Sequence, residues 1–171
     1  MALVTALLGG TSAGAARPGD WVLGLAPAYA YIVIGGKSQP RGVGATAVLL
    51  YGLTPAIALR LSGGWTGHSI ESSEPAGSPL YHVTHAMAGA RYSFDLVAVN
   101  AAIEGGVGVL YQRFGKASSL DLGAQLGVGF DYWILRWLSL GAFLHYYAFL
   151  SNPNQYPVYF DAGPRVELRW P

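Results

Sequence analysis

From Trp21 onward, apolar and polar side chains alternate along the chain in segments that are separated by turn-forming residues. Alternation with a period of two is typical of a β-strand with two unlike faces. No window of about 18 uninterrupted apolar residues is present, so the pattern does not predict a membrane-spanning helix. The predicted strands are eight in number, at 21–34, 42–52, 56–67, 80–93, 98–111, 120–133, 138–150 and 158–170.

An aromatic residue recurs at the junctions between alternating runs. Tyr51, Tyr92 and Tyr132 are 41 and 40 residues apart, and Trp170 follows 38 residues later. A fixed period of this size is typical of a repeated supersecondary unit, here a pair of strands with one tight turn and one longer loop. Short turns are expected near 53–55, 94–97 and 134–137, and longer loops at 35–41, 68–79, 112–119 and 151–157.

The two faces of the predicted strands differ in size and charge. In the sixth strand, the alternate residues from Leu120 to Tyr132 are apolar, whereas those from Asp121 to Asp131 are Asp, Gly and Gln. The interior of an eight-stranded barrel is only wide enough to be filled by side chains. We therefore expect the small and charged set inside and the large apolar set outside, which is typical of a barrel in lipid.

Charges in so narrow an interior are expected to pair with one another, although a gate and a substrate site are alternatives. Removing one partner of a buried pair costs about 3–5 kcal/mol because the other charge is left uncompensated. We predict that Glu104 pairs with one or more of Arg60, Arg91 and Arg165. The predicted interior charges are Arg60, Arg91, Glu104, Asp121, Asp131, Asp161, Arg165, Glu167 and Arg169.

Aromatic residues within the strands recur at intervals that suit a bilayer. Trp21 and Tyr31 are ten residues apart, and Tyr81 and Tyr92 are eleven apart. A strand needs about 9–11 residues to cross a membrane, and aromatic residues collect at both interfaces, although sheets favour aromatics in general. The predicted interface residues are Trp21, Tyr31, Tyr51, Trp65, Tyr81, Tyr92, Tyr111, Tyr132, Phe160 and Trp170.

Composition favours the membrane barrel over a soluble β-barrel or sandwich, which remains the alternative. Charged residues are 11% of the chain, the mean hydropathy is +0.34 and 24 residues are glycine; soluble domains have roughly 25% charged residues. The net charge of +1 provides no strong field for nucleic acid or an acidic substrate. The lack of cysteine excludes disulfides, a cysteine nucleophile and a lipidated cysteine.

The first 16 residues predict a secretory signal peptide. A short apolar core at 3–8 is followed by small residues that include the A-x-A match Ala13-Gly14-Ala15. No Lys or Arg precedes the apolar core, so a truncated start and a hydrophobic N-terminal arm are alternatives. The barrel domain is then expected to comprise residues 17–171.

Two sequence features resemble those of a known family. A Tyr-x-Leu-Thr-Pro-x-Ile-x-Leu turn motif lies at 51–59 with echoes at 92–101 and 132–141, and the chain closes with Val166, Leu168 and Trp170 in alternation. Over about residues 21–170 the chain resembles the small bacterial outer-membrane β-barrel family, of the OmpA-like transmembrane-domain and opacity-type (porin-like) kind. The resemblance implies an all-β, eight-stranded, antiparallel up-and-down transmembrane β-barrel in the bacterial outer membrane, with the short turns in the periplasm. It also implies contacts with the lipid bilayer and lipopolysaccharide, and recognition of the C-terminal strand by the outer-membrane assembly machinery.

Motifs for catalysis or for a bound cofactor are weak. Gly36-Lys37-Ser38 lacks the upstream glycine of a phosphate-binding loop. His82 and His85 are an odd number of residues apart, so they face opposite sides of one strand, which disfavours a shared metal. Some eight-stranded barrels are lipid-modifying enzymes, and one such family, the lipid A 3-O-deacylases, resembles a hydrolase with His and Ser two residues apart on a strand, plus a Glu. Here Tyr147 stands two residues after His145, and Ser151 is about 20 Å away along a strand. We expect no catalytic residue, no cofactor and no metal.

The function predicted from the sequence is that of an integral outer-membrane protein with a structural or surface-interaction role and no catalysis. The alternatives are a narrow pore or passage for small hydrophobic molecules, and then a lipid-modifying enzyme or a soluble ligand-binding barrel. The loops at 68–79 and 151–157 are polar and are expected to carry any surface recognition, with no nucleic acid among the partners.

Overall fold

The computed structural model describes residues 17–33, 41–69, 80–96, 99–151 and 158–171. In this part of the chain, each strand pairs antiparallel with the next and the last pairs with the first, which closes a barrel. The predicted all-β, eight-stranded, up-and-down fold is therefore confirmed. No helix in these residues is long and apolar enough to cross a membrane. The strands are β1 (Trp21–Val33), β2 (Arg41–Gly52), β3 (Ile57–Ser69), β4 (Leu80–Leu96), β5 (Val99–Phe114), β6 (Ala117–Leu135), β7 (Leu138–Phe149) and β8 (Val158–Trp170).

The connection between β5 and β6 differs from the expected long loop at 112–119. The two strands continue to Phe114 and from Ala117, so that only Gly115 and Lys116 form the turn. Gly115 has a φ of +59°, a left-handed conformation that glycine adopts readily and that tight hairpins require. The prediction of a longer loop was wrong because the polar residues on both sides of the turn pair with each other, as Gln112 does with Ser119.

The strands are staggered around the barrel. We followed the paired residues from strand to strand around the barrel, starting at Trp21 on β1. The path comes back to β1 at Tyr31, ten residues further along the strand. Such a stagger requires strands that tilt by about 35–45° from the barrel axis, and it leaves an interior that side chains can fill.

Burial alternates along the strands with the phase that the sequence predicted. In β6, Leu122 and Leu126 are 62% and 64% exposed, whereas Asp121 and Gln125 are each 1% exposed. The same inversion of apolar outside and polar inside extends around the described barrel. A continuous apolar exterior of this kind is typical of a barrel surrounded by lipid.

Large aromatic side chains lie on the outer wall towards both ends of the barrel. At the end with the short turns, Trp21 pairs in register with Tyr51 and Trp170, and its ring lies 4.9 Å from that of Tyr51. Tyr92 and Tyr132 are also exposed towards this end. The exterior residues towards the other end are Tyr31, Trp65, Tyr111 and Phe160.

Tyr81 is the exception among the predicted interface aromatics. Its side chain is buried and its hydroxyl donates a hydrogen bond to Gln112 Oε1. Placing it on the outer wall was wrong, because Tyr81 and Tyr92 are separated by eleven residues. An odd separation on one strand puts two side chains on opposite faces.

Several predicted segments lie outside the described residues. They are the signal peptide at 1–16, residues 35–40 of the loop at 35–41, residues 70–79 of the loop at 68–79 and residues 152–157 of the loop at 151–157.

Candidate functional site: an ion network inside the barrel

The middle of the barrel interior contains a cluster of charged side chains that come from six different strands. Each lies at an inward position of its strand, and each is at most 3% exposed. They point inward because strand alternation leaves the small and polar set on the concave face. The cluster, called the ion network below, consists of Arg60, Arg91, Glu104, Asp131, His145, Asp161, Arg165 and Glu167.

Glu104 contacts four cationic or imidazole groups at once. Its Oε2 lies 2.8 Å from Arg60 Nε and 3.0 Å from His145 Nε2. Its Oε1 lies 2.8 Å from Arg165 Nη1 and 3.6 Å from Arg91 Nε. All three arginines that the sequence offered as partners of Glu104 therefore surround it.

Arg91 and Arg165 also bind a second pair of carboxylates, from Asp131 and Glu167. Arg91 Nη1 lies 2.6 Å from Glu167 Oε1, and its Nη2 donates to Asp131 Oδ2. Arg165 reaches the same two groups, with Nη2 2.7 Å from Asp131 Oδ2 and Nε 3.1 Å from Glu167 Oε1. Planar guanidinium groups suit such bridging because their donors diverge in one plane.

His145 lies between two carboxylates and was not assigned to the interior charges from sequence. Its Nε2 is 3.0 Å from Glu104 Oε2 and its Nδ1 is 3.1 Å from Asp161 Oδ1. Both ring nitrogens can donate only when the ring is an imidazolium. Its inward phase on β7 was the signal in the sequence that could have identified it.

The formal charges of the ion network balance only if His145 is protonated. The network contains three arginines and the four carboxylates of Glu104, Asp131, Asp161 and Glu167. An imidazolium at His145 raises the positive groups to four and leaves no net buried charge. Neutrality matters here because an uncompensated ion in a low-dielectric interior is costly.

Polar contacts continue from Asp161 towards the end of the barrel with the longer loops. Asp161 Oδ2 accepts hydrogen bonds from Tyr147 Oη at 3.2 Å and from Thr46 Oγ1 at 3.4 Å. Tyr147 Oη also lies 3.2 Å from His85 Nε2, and the Tyr147 ring lies 4.9 Å from that of Tyr159.

These tyrosines belong to an apolar layer that fills the barrel above the ion network. This layer, the interior plug, is made of buried aliphatic and aromatic side chains from several strands. At the level of the ion network, and not in the plug, a cavity of about 10 Å³ lined by His145, Phe143 and Arg165 has room for about one water. The plug residues are Ala30, Ile32, Tyr81, Val83, Met87, Leu110, Tyr147, Phe149 and Tyr159.

Two of the predicted interior charges lie apart from the ion network. Asp121 is close to the β5–β6 turn, where it accepts hydrogen bonds from Gln112 Nε2 at 2.8 Å and Ser119 Oγ at 3.2 Å. Arg169 lies near the short turns, with its guanidinium carbon 3.7 Å from the centre of the Trp133 ring. Both face inward as expected, but at different heights along the barrel axis.

The arrangement around His145 does not suit a hydrolase. A histidine base must accept the proton of a nucleophile through a free ring nitrogen, and both nitrogens of His145 face carboxylates. Ser151 Oγ instead accepts a hydrogen bond of 3.0 Å from the backbone N–H of Leu122.

Comparison with solved structures finds the same architecture in bacterial outer-membrane proteins. Neisserial surface protein A matches with a TM-score of 0.70 and 16% identity, over 89% of this chain and 99% of that one. The fold of this chain is that of the small outer-membrane barrels. No protein-family model matches the chain, and no curated protein matches it.

Two further structures extend this similarity. Ail, the attachment invasion locus protein of Yersinia pestis, matches with a TM-score of 0.64 and 15% identity over 90% of this chain and 100% of that one. OprG from Pseudomonas aeruginosa matches with a TM-score of 0.57 and 12% identity over 91% and 97%. The Ail structure contains the heparin analogue sucrose octasulfate. These neighbours are outer-membrane proteins, in agreement with the predicted localisation.

Proposed function

We propose that this outer-membrane barrel is closed along its axis and has a structural or surface-interaction role without catalysis. The observation that carries the proposal is the filled interior, where the ion network and the interior plug occupy successive levels. A solute passing along the axis would have to separate several buried ion pairs. Leaving one partner of such a pair uncompensated costs about 3–5 kcal/mol.

The absence of catalysis is supported by the geometry at His145. Its two nitrogens lie 3.0 Å from Glu104 Oε2 and 3.1 Å from Asp161 Oδ1, so both are engaged by carboxylates and neither faces a nucleophile. The alternative of a passage for small hydrophobic molecules has less support, because the apolar part of the interior is packed with Tyr147, Phe149 and Tyr159.

A role at the surface is supported by the position of the polar segments at the ends of the barrel. The outer wall faces lipid, so recognition is left to the rims and to the polar loops at 68–79 and 151–157. The binding of a heparin analogue by Ail supports a surface ligand for a barrel of this fold. We also propose that residues 1–16 direct export, that lipopolysaccharide and the bilayer surround the wall, and that the strand ending at Trp170 is presented to the assembly machinery.

Conductance in planar bilayers tests the closed interior. We expect no discrete current steps from the refolded wild-type protein. Glu104→Ala combined with Arg165→Ala removes two partners from the centre of the network and is expected to admit a small current. Asp95→Ala is the matched control, since Asp95 is an exposed carboxylate near the short turns. Regular steps from the wild-type protein would contradict the proposal and favour a pore.

Turnover of labelled lipid A tests the absence of catalysis. We expect no product from the wild-type protein in mixed micelles. Product formed by the wild-type protein and lost in His145→Leu would instead support a lipid-modifying enzyme.

A further inference from the structure

Unpaired polar atoms are concentrated in one layer of the barrel interior, between the ion network and the short turns. The layer is formed by neighbouring strands, since Trp133 on β6 pairs in register with Ser139 on β7, and Ser139 pairs with Glu167 on β8. Arg169 follows on the same inward face of β8. Among the described residues, the buried atoms of this layer without a hydrogen-bond partner are Trp133 Nε1, Ser139 Oγ, Glu167 Oε2, Arg169 Nε and Arg169 Nη2. A partner from outside the chain is one explanation for such a concentration.

The two unpaired nitrogens of Arg169 form the side of the guanidinium that fits a carboxylate. Nε–H and Nη2–H point in the same direction, so they can donate to both oxygens of one carboxylate. Arg165, four residues earlier on the same face of β8, uses these two atoms in this way, with Nε 3.3 Å from Asp131 Oδ1 and Nη2 2.7 Å from Asp131 Oδ2. None of the ion pairs among the described residues includes Arg169. Arg169 therefore offers the same two donors without a carboxylate of its own.

Trp133 and the end of β8 hold Arg169 at the opening of the barrel. The guanidinium carbon of Arg169 lies 3.7 Å from the centre of the Trp133 ring, and the backbone N–H of Arg169 donates to Trp137 O at 2.9 Å. The register between β6 and β7 shifts between Trp133 and Leu135. Irregularities of this kind are over-represented next to functional sites.

A ligand can reach Arg169 from the end of the barrel with the short turns. Arg169 is 9% exposed and is followed in β8 by Trp170 alone. Its Nε and Nη2 are covered in the described conformation, so the guanidinium must turn from the Trp133 ring towards the opening to receive a ligand. This movement needs only rotation of a long, flexible side chain, because pairing with β1 and β7 holds the backbone of β8 in place.

The charges at this end suit one singly charged anion. Outside the ion network, the described side chains there are three arginines and two aspartates: Arg17, Arg136, Arg169, Asp20 and Asp95. Residues 1–16 and 97–98, which adjoin this end in the chain, contain no Asp, Glu, Lys or Arg, and Glu71 and Glu74 belong to the connection at the opposite end. A single negative charge therefore balances the excess of one arginine. Asp20 and Glu167 act on Arg169 from a longer distance and oppose a second negative charge.

We propose that this opening of the barrel binds the carboxylate of a small organic acid. The two oxygens of the carboxylate accept hydrogen bonds from Arg169 Nε and Nη2. Ser139 Oγ and Trp133 Nε1 supply further donors in the same layer. The site lies on the inner side of the wall and at the end away from the polar loops, so it is separate from the surface role proposed above.

Charge favours a carboxylate over the two other occupants that would fit the donors. A water molecule can pair with Arg169 and Ser139, but it does not compensate a guanidinium that has no ion-pair partner. A phosphate dianion has enough oxygens, but it carries one charge more than this end can balance. Acetate, inorganic phosphate and chloride therefore serve as the three probes in the binding test.

Nuclear magnetic resonance of the ¹⁵N-labelled full chain in detergent micelles measures this binding. Sodium acetate replaces sodium chloride at constant ionic strength, and the indole N–H signals are followed. We expect a saturable shift of the Trp133 signal, which Trp133→Phe identifies by its loss. The signal of Trp137, exposed in the neighbouring turn, is expected to stay in place. Inorganic phosphate at about pH 8, where it is mostly a dianion, is expected to bind more weakly.

Three variants test the contacts. Arg169→Lys keeps the charge but loses the planar pair of donors, so we expect acetate binding to weaken by about tenfold or more. Arg136→Lys makes the same exchange at an exposed arginine of the same end and is expected to change nothing. Ser139→Ala removes one neutral donor and is expected to have a smaller effect than Arg169→Lys. Heat-dependent gel mobility verifies that each variant is folded.

A Trp133 signal that does not respond to acetate, or that shifts without saturation, would overturn the proposal and favour water as the occupant. Equal affinity of the wild-type protein and of Arg169→Lys for acetate would overturn the two-point contact at Arg169. Equal affinity for acetate and for the phosphate dianion would overturn the choice of a carboxylate.

Discussion

Glu104 and His145 face each other inside the barrel, with Glu104 Oε2 3.0 Å from His145 Nε2. The other ring nitrogen of His145 contacts Asp161, so the imidazole joins two carboxylates that would otherwise repel. Glu104 in turn gathers three guanidinium groups. This pair therefore connects the arginines of the ion network with Asp161, which contacts Tyr147 of the interior plug.

Replacement of Glu104 by alanine should destabilise the barrel. Three arginines and His145 lose a common partner, and breaking a buried pair costs about 3–5 kcal/mol. Urea unfolding in lipid vesicles, followed by tryptophan fluorescence, is expected to show a lower midpoint. Arg136 is an exposed charge in the β6–β7 turn, so Arg136→Ala provides the control and should leave the midpoint in place. An unchanged midpoint for Glu104→Ala would show that the pairing contributes nothing to stability.

The charge balance at His145 can be tested by a double-mutant cycle. His145→Leu leaves four carboxylates against three arginines, so it should destabilise the barrel. Asp161→Asn removes one negative charge, and in combination with His145→Leu it should restore the balance. We expect the loss for the pair to be smaller than the sum of the single losses by about 0.5–3 kcal/mol. Additive losses in the same unfolding assay would count against a protonated His145.

The outward phase of β6 predicts an effect that depends on depth in the membrane. Leu126 is 64% exposed on the outer wall, and arginine at the middle of a lipid-facing strand costs about 2–4 kcal/mol. Ile134 is exposed on the same strand near the short turn, where arginine costs about 0–1 kcal/mol. Unfolding free energies should therefore rank Leu126→Arg well below Ile134→Arg. Equal losses would mean that this wall does not cross the bilayer as described.

Close packing around the ion network should make one glycine intolerant of a methyl group. A Cβ at Gly129 would lie 2.5 Å from Arg165 Nη2, so Gly129→Ala must displace a guanidinium that four oxygen contacts hold in place. Overpacking of this kind costs about 1–3 kcal/mol.

Gly105 provides the comparison for Gly129. A Cβ there would have its nearest neighbour, Leu126 Cδ2, at 3.6 Å, which is an ordinary contact. Gly105→Ala should leave the unfolding midpoint close to that of the wild-type protein, and similar losses at both glycines would argue against a rigid Arg165.

Local features of this fold could be predicted from the sequence, whereas heights along the barrel axis could not. Strand phase depends only on alternation, so the opposite directions of Gln125 and Leu126 followed from the pattern. The position of Asp121 and Arg169 apart from the ion network depends on the stagger between strands, which alternation does not reveal. His145 was missed although its inward phase on β7 follows from alternation; only its pairing with partners on β5 and β8 depends on the stagger.

The two other differences concern the turn at Gly115 and the spacing of Tyr81. The polar residues around Gly115 resemble a loop when they are considered one strand at a time. Their pairing across a two-residue turn becomes evident only when both strands are aligned. Tyr81 was misplaced because its spacing from Tyr92 matched the membrane thickness but not the period of the strand.

The closure of the barrel between β1 and β8 has a consequence for how the protein forms. Asp161, Arg165 and Glu167 all lie on the final strand, so Arg165 becomes available to Glu104, and Glu167 to Arg91, only when β8 has paired. Contacts that form after the folding transition state slow unfolding more than they speed assembly. We therefore expect the ion pairs made by β8 to act mainly on the lifetime of the finished barrel.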